Sequence, residues 1–237
     1  MNATLSVLAV WAALGQHQKA PGVEQVLKPE KTLIEKVEQP GMWIMEEFVF
    51  IQPRMITVEV PGKGRKLLWY MLYRVKNKGD SPRLFVPKFR LVDDKANAYL
   101  DTIIPKAQRA IQSREDPLQP LENSVTAIGE LEPSVEEGID KALYAVAIWE
   151  DVNPRLKSFD ILIEGLSNGF KELKDPTTGE PIKDPVTGQT KAQRKTLILK
   201  FARPGDEFLP TEGAKFSDVK GVSEREVRYL GYDWIYQ

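Results

Sequence analysis

The sequence predicts a mostly β protein, folded as an antiparallel β-sandwich with one short surface helix and an inserted hairpin. From Trp43 onward, apolar and polar residues alternate in short runs, the period that places successive side chains on opposite faces of a strand. Turn-rich segments separate these runs. No series of amphipathic helices intervenes, which favours antiparallel pairing over a parallel α/β sheet.

The alternating runs predict at least seven strands, at residues 43–50, 54–60, 67–76, 84–93, 142–149, 159–164 and 196–201. In the third run the alternate residues from Leu67 to Val75 are all apolar, which is typical of a half-buried strand. The run at 142–149 is apolar on both faces and predicts a central strand covered on both sides. Pro87 cannot donate to a ladder, so the strand at 84–93 is expected to lie at an edge or to carry a bulge.

Two segments break the alternation. Residues 104–115 begin with Ile-Pro and carry mainly polar side chains; Pro105 suits a first helical turn. They predict a polar surface helix that crosses between the sheets. Residues 175–188 contain Asp-Pro-Thr-Thr-Gly and Asp-Pro-Val-Thr-Gly, two turn-forming sequences nine residues apart. They predict a protruding hairpin or flap inserted in the domain.

The N-terminal residues 1–15 are interpreted as a signal peptide. The apolar run from Leu5 to Leu14 resembles the apolar region of a secretory signal, and Ala13 and Gly15 place small residues at positions -3 and -1 of a cleavage site after Gly15. No Lys or Arg precedes the run, which argues against export. The run is too short to span a bilayer, which takes about 20 apolar residues. The predicted location is therefore periplasmic or secreted. The alternative is a buried N-terminal helix of a cytoplasmic protein.

The rest of the chain divides into two parts. Residues 16–42 are polar and contain three prolines, which indicates a linker or N-terminal arm. Residues 43–237 are expected to form a single β-sandwich domain with the hairpin insertion at 175–188.

Composition excludes several function classes. Of the 237 residues, 42% are hydrophobic and 28% charged, the balance of a globular protein, and the formal net charge of -1 gives no electrostatic attraction for nucleic acid. The chain has no cysteine, which rules out disulfides, thiolate nucleophiles and zinc ribbons. No second apolar run of membrane length follows the first, so no stable membrane span is expected. An envelope protein or glycan is the partner class that remains.

One turn in the sequence resembles a known group of domains. Residues 75–82 read Val-Lys-Asn-Lys-Gly-Asp-Ser-Pro between two predicted strands, a pattern similar to that of bacterial extracytoplasmic immunoglobulin-like domains. This resemblance covers about residues 54–203. The full chain also resembles an uncharacterised bacterial family of exported proteins that share Val-Pro-Lys-Phe, Ile-Pro-Lys-Ala, Gly-Leu-Ser-Asn-Gly and Arg-Pro-Gly-Asp-Glu-Phe, here at 86–89, 104–107, 165–169 and 203–208. The resemblance implies an immunoglobulin-like sandwich and export. It supplies no catalytic residues.

Catalytic chemistry has few candidates in this sequence. His17 is the only histidine and lies beside the predicted leader, so a Ser-His-Asp triad or a histidine metal site is not expected in the domain. No glycine-rich nucleotide loop is present. Carboxylates remain as general acids or bases, in four adjacent pairs: Asp93 and Asp94, Glu115 and Asp116, Glu150 and Asp151, Asp206 and Glu207. Neighbours on a strand point to opposite faces, so each pair is more typical of a turn than of a hydrolase site.

Five tryptophans raise the possibility of sugar binding. Trp69 and Trp149 lie on apolar strand faces and are expected in the core. Trp43 and the aromatic C-terminal segment, with Tyr232, Trp234 and Tyr236, are less constrained. That segment is expected to dock as a last strand, with a partner-binding tail as the alternative.

Two basic segments, 62–66 and 106–114, are expected to be a solvated hairpin tip and a solvated helix face, or else contacts for an anionic envelope polymer. No residue is assigned to catalysis, to a cofactor or to a metal. The functional hypothesis is a non-catalytic extracytoplasmic binding or structural module of the cell envelope. The alternative is a carboxylate-dependent polysaccharide hydrolase.

Overall fold

The computed structural model describes residues 25–26, 40–134, 141–203 and 227–237. The protein is mostly β, with antiparallel sheets and one helix among the described residues, which confirms the predicted class. The elements in chain order are β1 (Gln25–Val26), β2 (Glu47–Phe50), β3 (Arg54–Val60), β4 (Gly64–Lys76), β5 (Arg83–Phe85), β6 (Lys88–Asp93), β7 (Ala98–Leu100), α1 (Pro105–Glu115), β8 (Glu122–Asn123), β9 (Gly129–Leu131), β10 (Leu143–Trp149), β11 (Ser158–Glu164), β12 (Phe170–Glu172), β13 (Ala192–Ala202) and β14 (Arg228–Tyr236).

Two six-stranded sheets carry most of these strands. The first has the order β1-β2-β4-β10-β8, with β3 also paired to β4, and the second has the order β12-β13-β11-β6-β7, with β14 also paired to β13. All strand pairs in these two sheets, as far as the chain is described, are antiparallel except the parallel pair of β8 with β10. A small third sheet joins β5 to β9.

The predicted strand at 84–93 is wrong as a single strand. The chain forms β5 and β6, which pair in different sheets, with Val86 and Pro87 between them. Pro87 has no N–H for a ladder, so pairing ends there. A neighbouring loop also presses on this point, because a Cβ on Gly165 would lie within 3.0 Å of the Val86 carbonyl. The strand β6 is an internal strand, flanked by β11 and β7.

The main core lies between the two large sheets. Alternate residues of β4 and β10 face alternate residues of β6, β11 and β13. Aromatic rings meet across the interface: Trp69 packs edge-on against Phe159 with centroids 5.3 Å apart, and Tyr73 lies 4.6 Å from Phe89. The strand at 142–149 is central and covered on both faces, as its apolar pattern predicts.

Helix α1 covers the outer face of the first sheet. It connects β7 of the second sheet to β8 of the first, so the predicted crossing is confirmed. Most side chains of α1 are at least partly exposed, as expected of a polar surface helix, but Ala107 and Ile111, four residues apart on one helix face, are fully buried in a cluster with Tyr70 and Ile148. A second, smaller core therefore lies under the helix.

The C-terminal end of α1 is fixed to the sheet by Glu115. Its carboxylate pairs with Arg54 of β3 and accepts a hydrogen bond from the Tyr70 hydroxyl of β4. Burial, together with the adjacent Glu115 charge, raises the pKa of Tyr70 well above its usual value. The tyrosine therefore stays protonated and acts as a donor to the helix end.

Candidate functional site

The first predicted carboxylate pair forms a turn. Asp93 accepts hydrogen bonds through Oδ1 from the backbone N–H groups of Lys95 and Asn97, and through Oδ2 from the Asn97 amide and the Tyr99 hydroxyl. The Asn97 side-chain bond is the largest cause of its lowered pKa. Asp94 accepts a hydrogen bond from the backbone N–H of Lys157. Both oxygens of Asp93 are thus committed to holding the loop.

The other described pairs are also engaged in structural contacts. Glu115 fixes α1, as described above, and Asp116 caps the backbone N–H of Leu118. Glu150 and Asp151 pair with the predicted basic hairpin tip: Lys63 lies 2.7 Å from Glu150, and Lys66 lies 3.0 Å from Asp151. The basic hairpin tip and this acidic pair, which the sequence analysis treats separately, therefore neutralise each other's charge. Asp206, Glu207 and His17 lie outside the described residues.

A carboxylate that the sequence patterns do not single out lies where the two sheets meet. The Ser124 hydroxyl donates to Asp101 at 2.5 Å, and the fully buried Ser124 follows β8 directly. Burial raises the pKa of Asp101. The buried Tyr73 hydroxyl has no hydrogen-bond partner among the described residues, and burial and the charges of Asp101 and Glu122 raise its pKa. Because these residues come from β4, β8 and the β7–α1 connection, only tertiary structure brings them together.

The tryptophans divide as the strand pattern predicts. Trp69 and Trp149 are almost fully buried, and they face each other across β4 and β10. Neither indole N–H has a hydrogen-bond partner among the described residues. Trp43 is partly exposed, and the Arg83 guanidinium lies 5.4 Å from its ring centroid. The buried pair serves packing, so sugar stacking has to rely on other rings.

The aromatic C-terminal segment docks as a strand, and the alternative of a tail is wrong. Strand β14 pairs with β13 along its length, from Arg228 opposite Ala202 to Tyr236 opposite Lys195. Lys195 is only 5% exposed, and its ammonium lies 5.4 Å from the Tyr236 ring centroid. The exposed Lys171 of β12 places its ammonium 4.0 Å from the same centroid.

The segment 175–188 lies in two equivalent nine-residue turns, 173–181 and 182–190. In the first, Asp175 Oδ1 accepts the N–H groups of Thr177 and Thr178, and Gly179 has a positive φ. Asp184 and Gly188 repeat this arrangement nine residues later. The backbone bonds close a cycle: Ile182 donates to Leu173, Lys191 to Ile182 and Leu173 to Lys191. The pKa values of both aspartates are lowered, chiefly by these backbone bonds.

Exposed apolar side chains concentrate where the sheets meet near Asp101. Of the ten large apolar side chains exposed in the described chain, six lie on the segments 84–86, 100–103 and 125–128. Hydrogen bonds link each segment to residues beside the others: Phe85 pairs with Gly129, Asp101 donates to the Phe89 carbonyl, and Ser124 donates to Asp101. We call this set the apolar rim: Leu84, Val86, Leu100, Ile103, Val125 and Ile128.

Comparison with known proteins finds no relative: no family model, no curated protein and no solved structure matches the chain. The resemblance to exported immunoglobulin-like proteins therefore stays a prediction. Within the part of the chain that the structure describes, no helix is long and apolar enough to cross a membrane. The described residues also contain no group of three or more His, Cys, Asp or Glu side chains that could hold a metal ion.

Proposed function

We propose that this protein is a non-catalytic, extracytoplasmic binding module of the cell envelope, and that its apolar rim binds an extended segment of a partner protein. The observation that carries the proposal is the concentration of six exposed apolar side chains on three joined segments. Isolated exposed apolar residues are ordinary on a protein surface, whereas a cluster is typical of an interaction site.

The neighbouring strand supports a partner in extended conformation. Among the described strands, β7 is the last of the second sheet on this side and pairs with β6 alone. Asp101 donates to Phe89, so by alternation the backbone groups of Ala98 and Leu100 point away from β6. An added strand would hydrogen-bond to these groups, and its apolar side chains would cover the rim.

The chain offers a closely matched control for this proposal. Leu100 on β7 is 57% exposed, and Leu230 on β14, at the opposite side of the same sheet, is 58% exposed. A photo-crosslinking residue at Leu100 should capture an envelope protein in living cells, and the same residue at Leu230 should not. A Leu84→Lys substitution should abolish the Leu100 crosslink while leaving the melting temperature unchanged. Equal capture at Leu230, or no effect of the lysine, would contradict the proposal.

Export is part of the proposal and has its own test. The apolar N-terminal run, with Ala13 and Gly15 ahead of the expected cleavage point, supports it. The mature protein should begin near Gln16 and be recovered outside the cytoplasm. N-terminal mass spectrometry that finds intact Met1 on cytoplasmic protein would refute it.

We also propose that the fold is of the immunoglobulin-like class. Two mainly antiparallel sheets with a shared aromatic core support this assignment, and so does the Asn77 turn. The Asn77 amide donates to the carbonyls of Ser81 and Leu131, and Gly79 donates to its oxygen. An experimental structure whose strand order cannot be superposed on that of immunoglobulin-like domains would reject the assignment.

The alternative function, a carboxylate-dependent polysaccharide hydrolase, has one observation in its favour. Burial raises the pKa of Asp101, the direction that a general acid requires, and Asp101 and Glu122 both act electrostatically on Tyr73. Hydrolysis of an envelope polysaccharide that disappears in both Asp101→Asn and Glu122→Gln would establish it. Retained hydrolysis in both variants, or none in the wild type, would leave Asp101 with its structural role.

A further inference from the structure

The segment that precedes β2 is held by the side chain of Asn168, in the loop after β11. Its Oδ1 accepts the backbone N–H of Trp43 at 2.7 Å, and its Nδ2 donates to the Gly41 carbonyl at 3.0 Å. Ser167 binds the same segment, because its hydroxyl donates to the Trp43 carbonyl at 2.7 Å. Two neighbouring side chains thus fix residues 41–43 to the domain.

Asn168 is followed by Gly169, and this is the one Asn-Gly dipeptide in the sequence. In such a dipeptide the glycine backbone nitrogen, after losing its proton to water, attacks the side-chain Cγ of the asparagine. Ammonia leaves and a five-membered succinimide forms, and water then opens one of its two imide C–N bonds to give aspartate or isoaspartate. Glycine favours the attack because it has no side chain to obstruct it. The whole reaction consumes one water and releases one ammonia.

Packing explains why glycine occupies this reactive position. A Cβ on residue 169 would lie 2.9 Å from Cε of Met42 and 3.2 Å from Cβ of Lys195. The Gly169 carbonyl also accepts the backbone N–H of Lys195 at 2.8 Å, at the beginning of the β13 core region. The close approach of Met42 shows that the dipeptide and the segment before β2 share one contact region.

Both reacting groups are engaged in the folded protein. The N–H of the buried Gly169 donates to the Ser167 hydroxyl oxygen at 3.0 Å. The amide of Asn168 is bonded at both ends, and it must rotate away from residues 41–43 before its Cγ can meet the Gly169 nitrogen. Ser167 joins the two conditions, because the same hydroxyl that accepts from Gly169 donates to Trp43. Detachment of residues 41–43 therefore frees the nucleophile and the electrophile together.

We propose that Asn168 is a site of spontaneous deamidation, that the docking of residues 41–43 gates the reaction, and that the modified protein no longer holds this segment. An ionised aspartate still accepts the Trp43 N–H, but it has no donor for the Gly41 carbonyl and places a negative charge against that oxygen. Isoaspartate also adds a methylene to the main chain directly before Gly169. The site is separate from the apolar rim, so this inference does not depend on the proposed protein partner.

Peptide-mapping mass spectrometry of the full chain measures the gate. Folded wild type should deamidate at least about tenfold more slowly than wild type in urea, because opening breaks more than one hydrogen bond. Ser167→Ala frees the Gly169 N–H and should raise the folded rate about fivefold, the effect of one hydrogen bond, without changing the rate in urea. Ser124→Ala removes a buried serine elsewhere and should leave the rate unchanged. Equal rates in folded and unfolded wild type, or an equal rise in both variants, would overturn the gate.

Asn168→Asp tests the consequence of the modification. The N–H of Met45 donates to the Leu166 carbonyl, so its exchange with solvent reports whether the segment before β2 is docked. In Asn168→Asp this exchange should be faster than in wild type at neutral pH and return to the wild-type rate at about pH 3, where a protonated carboxyl donates to Gly41 again. Asn168→Leu has no donor and should exchange faster at both pH values. Wild-type exchange in Asn168→Asp at neutral pH would contradict the release.

Discussion

At the scale of single residues, Gly165 shows how one position constrains two distant segments. Its φ is +93°, and a Cβ would collide with the Val86 carbonyl, so glycine is required for both conformation and space. The following residues fix the chain before β2: Met45 donates to the Leu166 carbonyl, and the Ser167 hydroxyl donates to the carbonyl of Trp43. The loop after β11 thus contacts both the connection between β5 and β6 and the segment before β2.

Gly165→Ala should therefore destabilise the protein strongly. The matched control is Gly179→Ala, because Gly179 also has a positive φ of +73° but has open space around its Cβ position. The control should cost about 1 to 2 kcal/mol, from the left-handed backbone conformation alone, and Gly165→Ala should cost well above that amount. Urea denaturation of both variants measures the difference. Equal losses would mean that Val86 moves aside without cost.

The buried acids should give stability opposite dependences on pH. Burial raises the pKa of Asp101 above its ordinary 3.8, so the folded state binds its proton more tightly, and stability falls as pH rises from 3.8 through the folded value. Hydrogen bonds lower the pKa of Asp93, so its contribution is present above 3.8 and is lost as pH falls through the folded value.

Between pH 3 and pH 7, the stability of Asp101→Asn relative to wild type should therefore shift in the variant's favour. The stability of Asp93→Asn should shift against the variant over the same range. Thermal unfolding at several pH values measures both shifts. Shifts of the same sign in the two variants would contradict the assigned environments.

Residue patterns anticipate burial better than they anticipate contact. Period-two alternation correctly places Trp69 and Trp149 in the core, because facing direction depends only on strand conformation. The pairing of Asp101 with Ser124 has no local signal, since it depends on how two sheet edges meet. The same is true of the apolar rim, whose three segments are distant in sequence. Contacts between residues that are distant in sequence can therefore be found only from the tertiary structure.

At the scale of elements, the flap is built from a nine-residue repeat that can be read directly from the sequence. The nine-residue spacing of Asp-Pro-x-Thr-Gly predicts two turns, and local hydrogen bonds from Asp175 and Asp184 are enough to form them. The closure of Leu173, Ile182 and Lys191 into a cycle could not be predicted, because it joins backbone groups across both turns. The helix shows a similar limit: its polar composition hides the two residues that it buries.

Deletion of residues 182–190 should leave the fold intact. In the intact protein the backbone N–H of Ile182 donates to the Leu173 carbonyl, and the N–H of Leu173 donates to the Lys191 carbonyl. After the deletion Lys191 takes the place of Ile182, so Leu173 and Lys191 exchange both hydrogen bonds and the shortened flap closes as a regular antiparallel pair. The segment contributes little apolar burial, and we expect the melting temperature to change by no more than about 2 °C. Differential scanning calorimetry checks this. Deletion of 184–190, which breaks the nine-residue register, should cost clearly more, and equal effects would contradict the repeat.

At the scale of the whole molecule, the first sheet joins two cores. Alternate residues of β4 face opposite sides: Trp69 and Met71 pack against the second sheet, and Leu68 and Tyr70 pack under α1. Strand β10 divides in the same way, with Trp149 in the main core and Ile148 under the helix. The two cores therefore share the first sheet as a common layer.

This shared layer predicts that the described strands and helix unfold as one cooperative unit. Trp69→Ala in the main core should cost about 3 to 5 kcal/mol, and Ile111→Ala under the helix about 2 to 5 kcal/mol. Each variant should lower a single transition, with tryptophan fluorescence and far-UV circular dichroism giving coincident urea curves. The contrary result would be an early loss of circular dichroism in Ile111→Ala, at urea concentrations where the tryptophan fluorescence of the main core is unchanged. It would show that α1 detaches independently and that the first sheet does not couple the two cores.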